Sequence, residues 1–250
     1  MTEPRTVLVT GGSRGIGAAI SRAFAADGCR VAVHYGTSAH AAEDVLATLP
    51  GSGHLTAQAD LADPTGIRVM VGRVAEEFGH IDVLVNNAGV FTAHAIESSD
   101  YEDWQAGWAQ HVNVNLIGAA NVTWCALQHM PRHGSSRIIN VGSRGAFRTE
   151  PKNPAYGATK AALAAFGQSI AKALGSEGIA VTTIAPGFVE TDMAAESLAS
   201  RGDEIRADSP FNRVAAPEEV AAAVLFLASP QAEWASGTVL DFNGASWFRL

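Results

Sequence analysis

A doubly wound α/β fold, a single parallel sheet with helices on both faces, is what this chain of 250 residues predicts. Three observations carry the prediction. Short apolar runs rich in β-branched residues alternate with longer segments of helical period. The runs are almost continuously apolar, as in strands buried on both faces, instead of alternating apolar and polar. No shift in composition marks a linker, so one domain over residues 1–250 is expected.

The elements follow in order. T-V-L-V-T (6–10) reads as the first strand and runs through a glycine-rich turn into a helix over 15–27. R-V-A-V-H-Y (30–35) is the second strand, with a helix over 39–49 behind it, and L-T-A-Q-A (55–59) is the third, with a helix over 64–79 that opens at Pro64. I-D-V-L-V-N (81–86) is the fourth strand, and the periodic stretch over 101–131 after Asp100 predicts one long helix. R-I-I-N-V-G (137–142) precedes a helix over 154–176, opened by Pro154, and A-V-T-T-I-A (180–185) is the sixth strand. A helix over 217–228 leads to T-V-L-D-F (238–242), which makes seven strands. The stretch 188–216 is long between its flanking strand and helix and only partly periodic, which predicts a lid. A cofactor-binding portion of about 1–135 and a catalytic and substrate portion of about 136–250 are expected on that basis.

Composition narrows the class. Apolar residues make up 47% and charged residues 17%, and no window holds the roughly 18 consecutive apolar residues of a membrane span. No secretory pattern precedes the first strand, so a cytoplasmic protein without a membrane partner is expected. Cys29 and Cys125 have no motif-like spacing and read as buried reduced thiols, with no metal site. With 17 basic against 25 acidic residues and no cationic cluster, the chain lacks the footprint of a nucleic-acid binder.

After the first strand comes T-G-G-S-R-G-I-G (10–17). A strand, a glycine turn and a helix make a phosphate cradle: glycine lets backbone approach a pyrophosphate, and the helix N-terminus supplies N–H groups and positive potential. The spacing G-x-x-x-G-x-G through Gly11, Gly15 and Gly17 differs from the common G-x-G-x-x-G, and a tight βα turn is the alternative. Y-G-A-T-K (156–160) places a phenol and an ammonium four residues apart, on one face of a helix.

Together with N-N-A-G (86–89), V-N-L-I-G (114–118), N-V-G-S (140–143) and P-G-F-V-E-T (186–191), these motifs stand in the order of the short-chain dehydrogenase/reductase family, which the chain resembles from end to end. The resemblance implies Tyr156 as general acid/base, with Lys160 beside it to draw down the phenol pKa and to bind the nicotinamide ribose. It implies Ser143 as donor to the substrate carbonyl and Asn115 as the residue that bends its helix and holds a proton-relaying water, with Asn113 as the runner-up. Gly11, Ser13, Arg14, Gly15, Ile16 and Gly17 would form the pyrophosphate turn. Asp60 and Leu61 would meet the adenine, Asn87, Ala88 and Gly89 the adenosine ribose, and Gly187, Val189 and Thr191 the carboxamide side.

The second strand ends in Tyr35 where a binder of NAD has an acid. Arg14, Thr37 and Ser38 instead offer a cation and hydroxyls to a 2′-phosphate, so NADP(H) is expected over NAD(H). The implied reaction is reversible hydride transfer, reducing a ketone or aldehyde to an alcohol. Arg144, Arg148 and Lys152, between Ser143 and Tyr156, point either to an anionic or polar small-molecule substrate or to solvated loop charges. One alternative is 3-oxoacyl-[acyl-carrier-protein] reductase, whose acidic partner needs basic residues at the entrance, whereas this chain is acidic and has Glu177. Another is a cofactor-binding sensor without chemistry. A homo-oligomer, tetramer or dimer, is also implied, with Trp247 and Phe248 of the tail G-A-S-W-F-R-L buried between subunits.

Overall fold

The computed structural model describes residues 3–132 and 134–249, so Leu250 at the end of the aromatic tail lies outside them. Seven strands form one parallel sheet in the order β3-β2-β1-β4-β5-β6-β7. They are β1 Thr6–Val9, β2 Arg30–Tyr35, β3 Leu55–Gln58, β4 Val83–Asn86, β5 Ser136–Val141, β6 Ile179–Pro186 and β7 Val239–Phe242. Eight α-helices accompany them: α1 Gly15–Ala26, α2 Ala39–Ala47, α3 Pro64–Phe78, α4 Tyr101–His111, α5 Ala119–Leu127, α6 Pro154–Leu174, α7 Asp192–Ala207 and α8 Pro217–Leu227.

The continuous apolar strands are explained by burial on both faces. In β1, Val7 and Val9 face one layer with Ile20 and Phe24 of α1 and Val220 and Val224 of α8. Leu8, between them, faces the other layer with Ile67, Val71 and Val74 of α3 and Val122 of α5. Alternate residues of one strand therefore serve two cores, which requires both parities to be apolar. Each such core side chain contributes roughly 1.5–3 kcal/mol through removal from water.

Chain order reverses at the centre of the sheet, where β1 pairs with β2 on one side and β4 on the other. At the carboxyl ends of strands beside such a reversal a crevice opens, and the glycine turn after β1, Asn87–Gly89 after β4 and Ser143 after β5 all lie there.

The predicted helix over 101–131 is divided. α4 passes into a π-helical stretch, Val112–Gly118, before α5 resumes, and helix ends at Leu127. The wider turn holds Asn115 buried while Asn113 is exposed. The stretch 188–216 is more ordered than its sequence suggests. It contains α7, with a non-helical break at Arg201, and a short bridge that pairs Val189 with Ala215. Both cysteines are free and buried, as predicted.

Candidate active site

The glycine turn is held by three side chains behind it. His34, buried in β2, accepts the Gly11 N–H at Nδ1 (2.9 Å), and its Nε2 lies 3.1 Å from the Ala59 carbonyl. Burial pushes its pKa down to about 4, so it stands neutral, with the proton on Nε2. Asn87 donates from Nδ2 to the carbonyls of Thr10 (2.9 Å) and Gly11 (3.1 Å), while the Thr10 hydroxyl accepts the N–H groups of Asn87 and Ala88. Gly11 has φ +61°, and a Cβ on Gly17 would stand 2.0 Å from the Gly11 carbonyl oxygen, so backbone packs on backbone here.

α1 begins over this turn with no acidic residue in its first turn, and Arg14 at its N-cap is exposed. Unmatched N–H groups, helix potential and a free-standing guanidinium suit a pyrophosphate or phosphate. Tyr35 closes β2 half-buried, and Thr37 and Ser38 follow it exposed. Asp60 accepts the Ala62 N–H (2.9 Å) in an exposed turn, leaving the N-cap of α3 to Asp63, and Leu61 beside it is buried.

The other half of the site converges on one cavity of about 120 Å³. Ile16 from the glycine turn, Ser143, Tyr156, Gly187, Val189 and Thr191 all line it. Gly15 and Thr191 are packed so that a Cβ on the glycine would lie 3.2 Å from the threonine methyl, which joins the two halves. The Ser143 oxygen accepts the Gly145 N–H (3.0 Å), leaving its proton free to point elsewhere. Its hydrogen bond to Tyr156 favours the phenolate. Tyr156 sits in the first turn of α6, its ring edge-on to Phe91 (4.8 Å between centroids, 88°).

α6 receives no cap from its own Asn153. Instead His94, buried after β4, accepts the Ala155 N–H (3.1 Å), one residue before the tyrosine. Asn115 grips Val90 through both backbone groups, Oδ1 from its N–H at 2.8 Å and Nδ2 to its carbonyl at 3.1 Å. The same side chain reaches Thr159 on α6 (3.4 Å). Ser13 and Ala88 lie half-buried along the cleft, and Gly89 faces both Asn115 and the Lys160 ammonium.

Burial, with Glu150 adding to it, pushes the Tyr156 phenol up to about 12 against the pull of Ser143. Lys160 is itself buried, is lowered to about 8 by desolvation, and gives a hydrogen bond to the Val141 carbonyl (2.8 Å), its nitrogen 5.8 Å from the tyrosine ring centre. The two side chains share a helix face, with the ammonium hydrogen-bonded to a strand carbonyl beside the ring.

The loop cations Arg144 and Arg148 are both held in ion pairs, and Arg144 is withdrawn from solvent while Arg148 stays partly exposed. Both pair with Asp208 at the end of α7 (3.1 and 2.7 Å), and Arg144, buried, also donates to the Ser246 hydroxyl and lies 5.1 Å from the Phe188 ring centre. Lys152 is exposed. Sequence reasoning passed over His34, His94 and Glu150; a lone imidazole inside an apolar strand was the available signal for His34, since a buried polar group needs a partner.

Among the described residues no helix is long and apolar enough to cross a membrane, and no group of three or more His, Cys, Asp or Glu could hold a metal.

A family model described as enoyl-(acyl carrier protein) reductase matches residues 11–244. The chain is 36% identical over 243 residues to a 3-oxoacyl-[acyl-carrier-protein] reductase of Synechocystis sp., covering 96% of each. It is equally 36% identical over 243 residues to cis-4-hydroxycyclohexanecarboxylate dehydrogenase of Sinomonas cyclohexanicum, covering 96% of this chain and 95% of that one. A solved short chain dehydrogenase from Burkholderia cenocepacia, in complex with NADP, is 37% identical with a TM-score of 0.88 over 97% of each chain. Likeness of this extent in sequence and in structure agrees with the cleft: the chain belongs to the short-chain dehydrogenase/reductase family, oxidoreductases acting on carbonyl and hydroxyl groups.

Proposed function

We propose that the chain reduces a ketone or aldehyde to an alcohol with NADPH, reversibly, using Tyr156, Ser143, Lys160 and Asn115. The observation that carries this reading is the shared cavity, which joins the Ser143 and Tyr156 hydroxyls to Ile16 of the glycine turn and to Val189 and Thr191. When bound, the nicotinamide supplies hydride; the chain's own residues handle the oxygen.

Ser143, with its acceptor side taken by Gly145, donates to the carbonyl oxygen as negative charge develops there. Tyr156, held protonated by burial, donates to the same oxygen and releases its proton as the alcohol forms. In the reverse direction the phenolate takes the alcohol proton. Lys160 holds the Val141 carbonyl and would bind the nicotinamide ribose, and Asn115 fixes Val90 and would hold the proton-relaying water. Arg14, with Thr37 and Ser38, would hold the 2′-phosphate, and the absence of an acid at the end of β2 removes the repulsion that would exclude it.

A second reading, reduction of a 3-oxoacyl group on acyl carrier protein, is favoured by what the Synechocystis relative is named to act on. Against it stand the net charge of −8 and the ion pair that Glu177 makes with Arg132, which removes a cation from that surface. NADPH oxidation followed at 340 nm over a carbonyl panel that includes an acetoacetyl thioester separates the two. Tyr156→Phe should lower the rate on the best substrate about 10²–10⁴-fold with NADPH binding retained; an undiminished rate would refute the assigned proton donor.

A further inference from the structure

Among the polar groups between Ser143 and Tyr156 that reduction does not use, Glu150 stands out. Glu150 lines the same cavity as those two hydroxyls, in a wall otherwise built largely from Ile16, Phe91, Phe188 and Met193. Its side chain is packed over Gly145, where a Cβ would stand 2.6 Å from the Glu150 Oε1, and its Cβ and Cγ pass Gly157 at the foot of α6. Glycine at 145 is what allows the carboxyl to lie there.

Three arginines are near enough to favour its charge, Arg144, Arg148 and Arg201, yet none reaches ion-pair distance. Arg144 and Arg148 converge on Asp208, and Arg201 faces Glu204. Among the described residues the carboxyl has no side-chain hydrogen bond either. Burial outweighs the arginines and raises its pKa. A partly desolvated acceptor without a donor is costly, and a site that leaves one facing its ligand selects a ligand that supplies the donor. The guanidinium of Arg144, which also faces this cavity, is already engaged, so the unmatched charge presented to substrate is negative.

We propose that Glu150 is a substrate-recognition group whose carboxylate accepts a hydrogen bond from a hydroxyl or ammonium carried within a few bonds of the reacting carbonyl. Glu150 and the Ser143 and Tyr156 hydroxyls line one cavity of about 120 Å³, so a compact molecule can reach all three together. Hydroxyketones and aminoketones are then favoured, and oxo acids, whose carboxylate would face Glu150, are disfavoured. This rests on the carbonyl-reduction reading above.

The experiment compares kcat/KM, with NADPH in excess, for 1-hydroxy-2-butanone, 2-butanone and 2-oxobutanoate, in the natural protein and in Glu150→Gln and Glu150→Met. The natural protein should favour the hydroxyketone over 2-butanone by tenfold or more. That ratio should fall at least tenfold in Glu150→Met and by less in Glu150→Gln, which keeps a neutral acceptor, while 2-oxobutanoate gains on 2-butanone in both. Any influence of Glu150 on the phenol acts on every substrate alike and cancels in the ratios.

Unchanged ratios, or no preference in the natural protein, would overturn the proposal while leaving carbonyl reduction standing. Quenching of NADPH fluorescence by the same three compounds reads binding without turnover. A binding preference for the hydroxyketone that Glu150→Met abolishes, with no reduction of any compound, would uphold the subsite and sink the catalytic reading; no binding preference in that setting would sink both.

Discussion

At Tyr156 burial and function pull in the same direction for reduction and in opposite directions for oxidation. A phenol raised to about 12 remains protonated throughout the neutral range, ready to donate. Alcohol oxidation needs the phenolate, whose fraction grows with pH below that value. The oxidative rate should therefore climb through the alkaline range while the reductive rate stays nearly level from pH 6 to 8, measured with one alcohol and its ketone. An oxidative rate that is maximal near pH 6 would contradict the assignment.

His34 gives a second prediction with the opposite sense of shift. Its native pKa, about 4, lies below the unfolded value of 6.5, so the unfolded chain binds the extra proton between them. Stability from this residue is present above pH 6.5 and is lost as pH falls toward 4, by about 3 kcal/mol. Urea unfolding at pH 7 and at pH 4.5 should show the loss, and His34→Gln should flatten the difference.

Among elements, the glycine turn and α1 form a unit in which Gly17 has no room to grow. Gly17→Ala would press a methyl into the Gly11 carbonyl and the Asn87 amide, costing about 1–3 kcal/mol or more and weakening NADPH binding. Fluorescence titration with NADPH, alongside thermal unfolding, checks this. This turn was legible because it stands between a recognisable strand and helix. All seven strands were legible, the central ones because burial on two faces writes itself into the sequence, whereas α7, in the partly periodic stretch 188–216, was not read as a helix.

The π-helical stretch Val112–Gly118 was not legible as such, because one residue of extra winding leaves the apolar pattern on both sides intact. The reading of Arg144 and Arg148 failed for a different reason. Their partner, Asp208, lies 60 or more residues on, and no local pattern ties it to them. The hydrogen bond of Lys160 was equally hidden: helical spacing gives a shared face with Tyr156, but the carbonyl of Val141 that the ammonium meets belongs to a strand.

On the whole-molecule scale, large apolar side chains remain outside. Trp124 on α5 is 62% exposed, Trp234 98% and Phe248 68%, while Trp247 beside it is half-buried, its carbonyl bonded to Asn243. We expect Phe248 and Trp247 to be covered by a second copy of the chain. Gel filtration should give a mass at least twice the 26.0 kDa of one chain, and a monomer would refute the expectation.

The pairing of Arg144 and Arg148 with Asp208 acts as a tether. One end of α7 is fastened through Asp208 to the loop that follows Ser143, the residue proposed to donate to the carbonyl. The placement of α7 and the placement of the Ser143 hydroxyl are thereby mechanically linked, so that a change that loosens Asp208 would be felt at both.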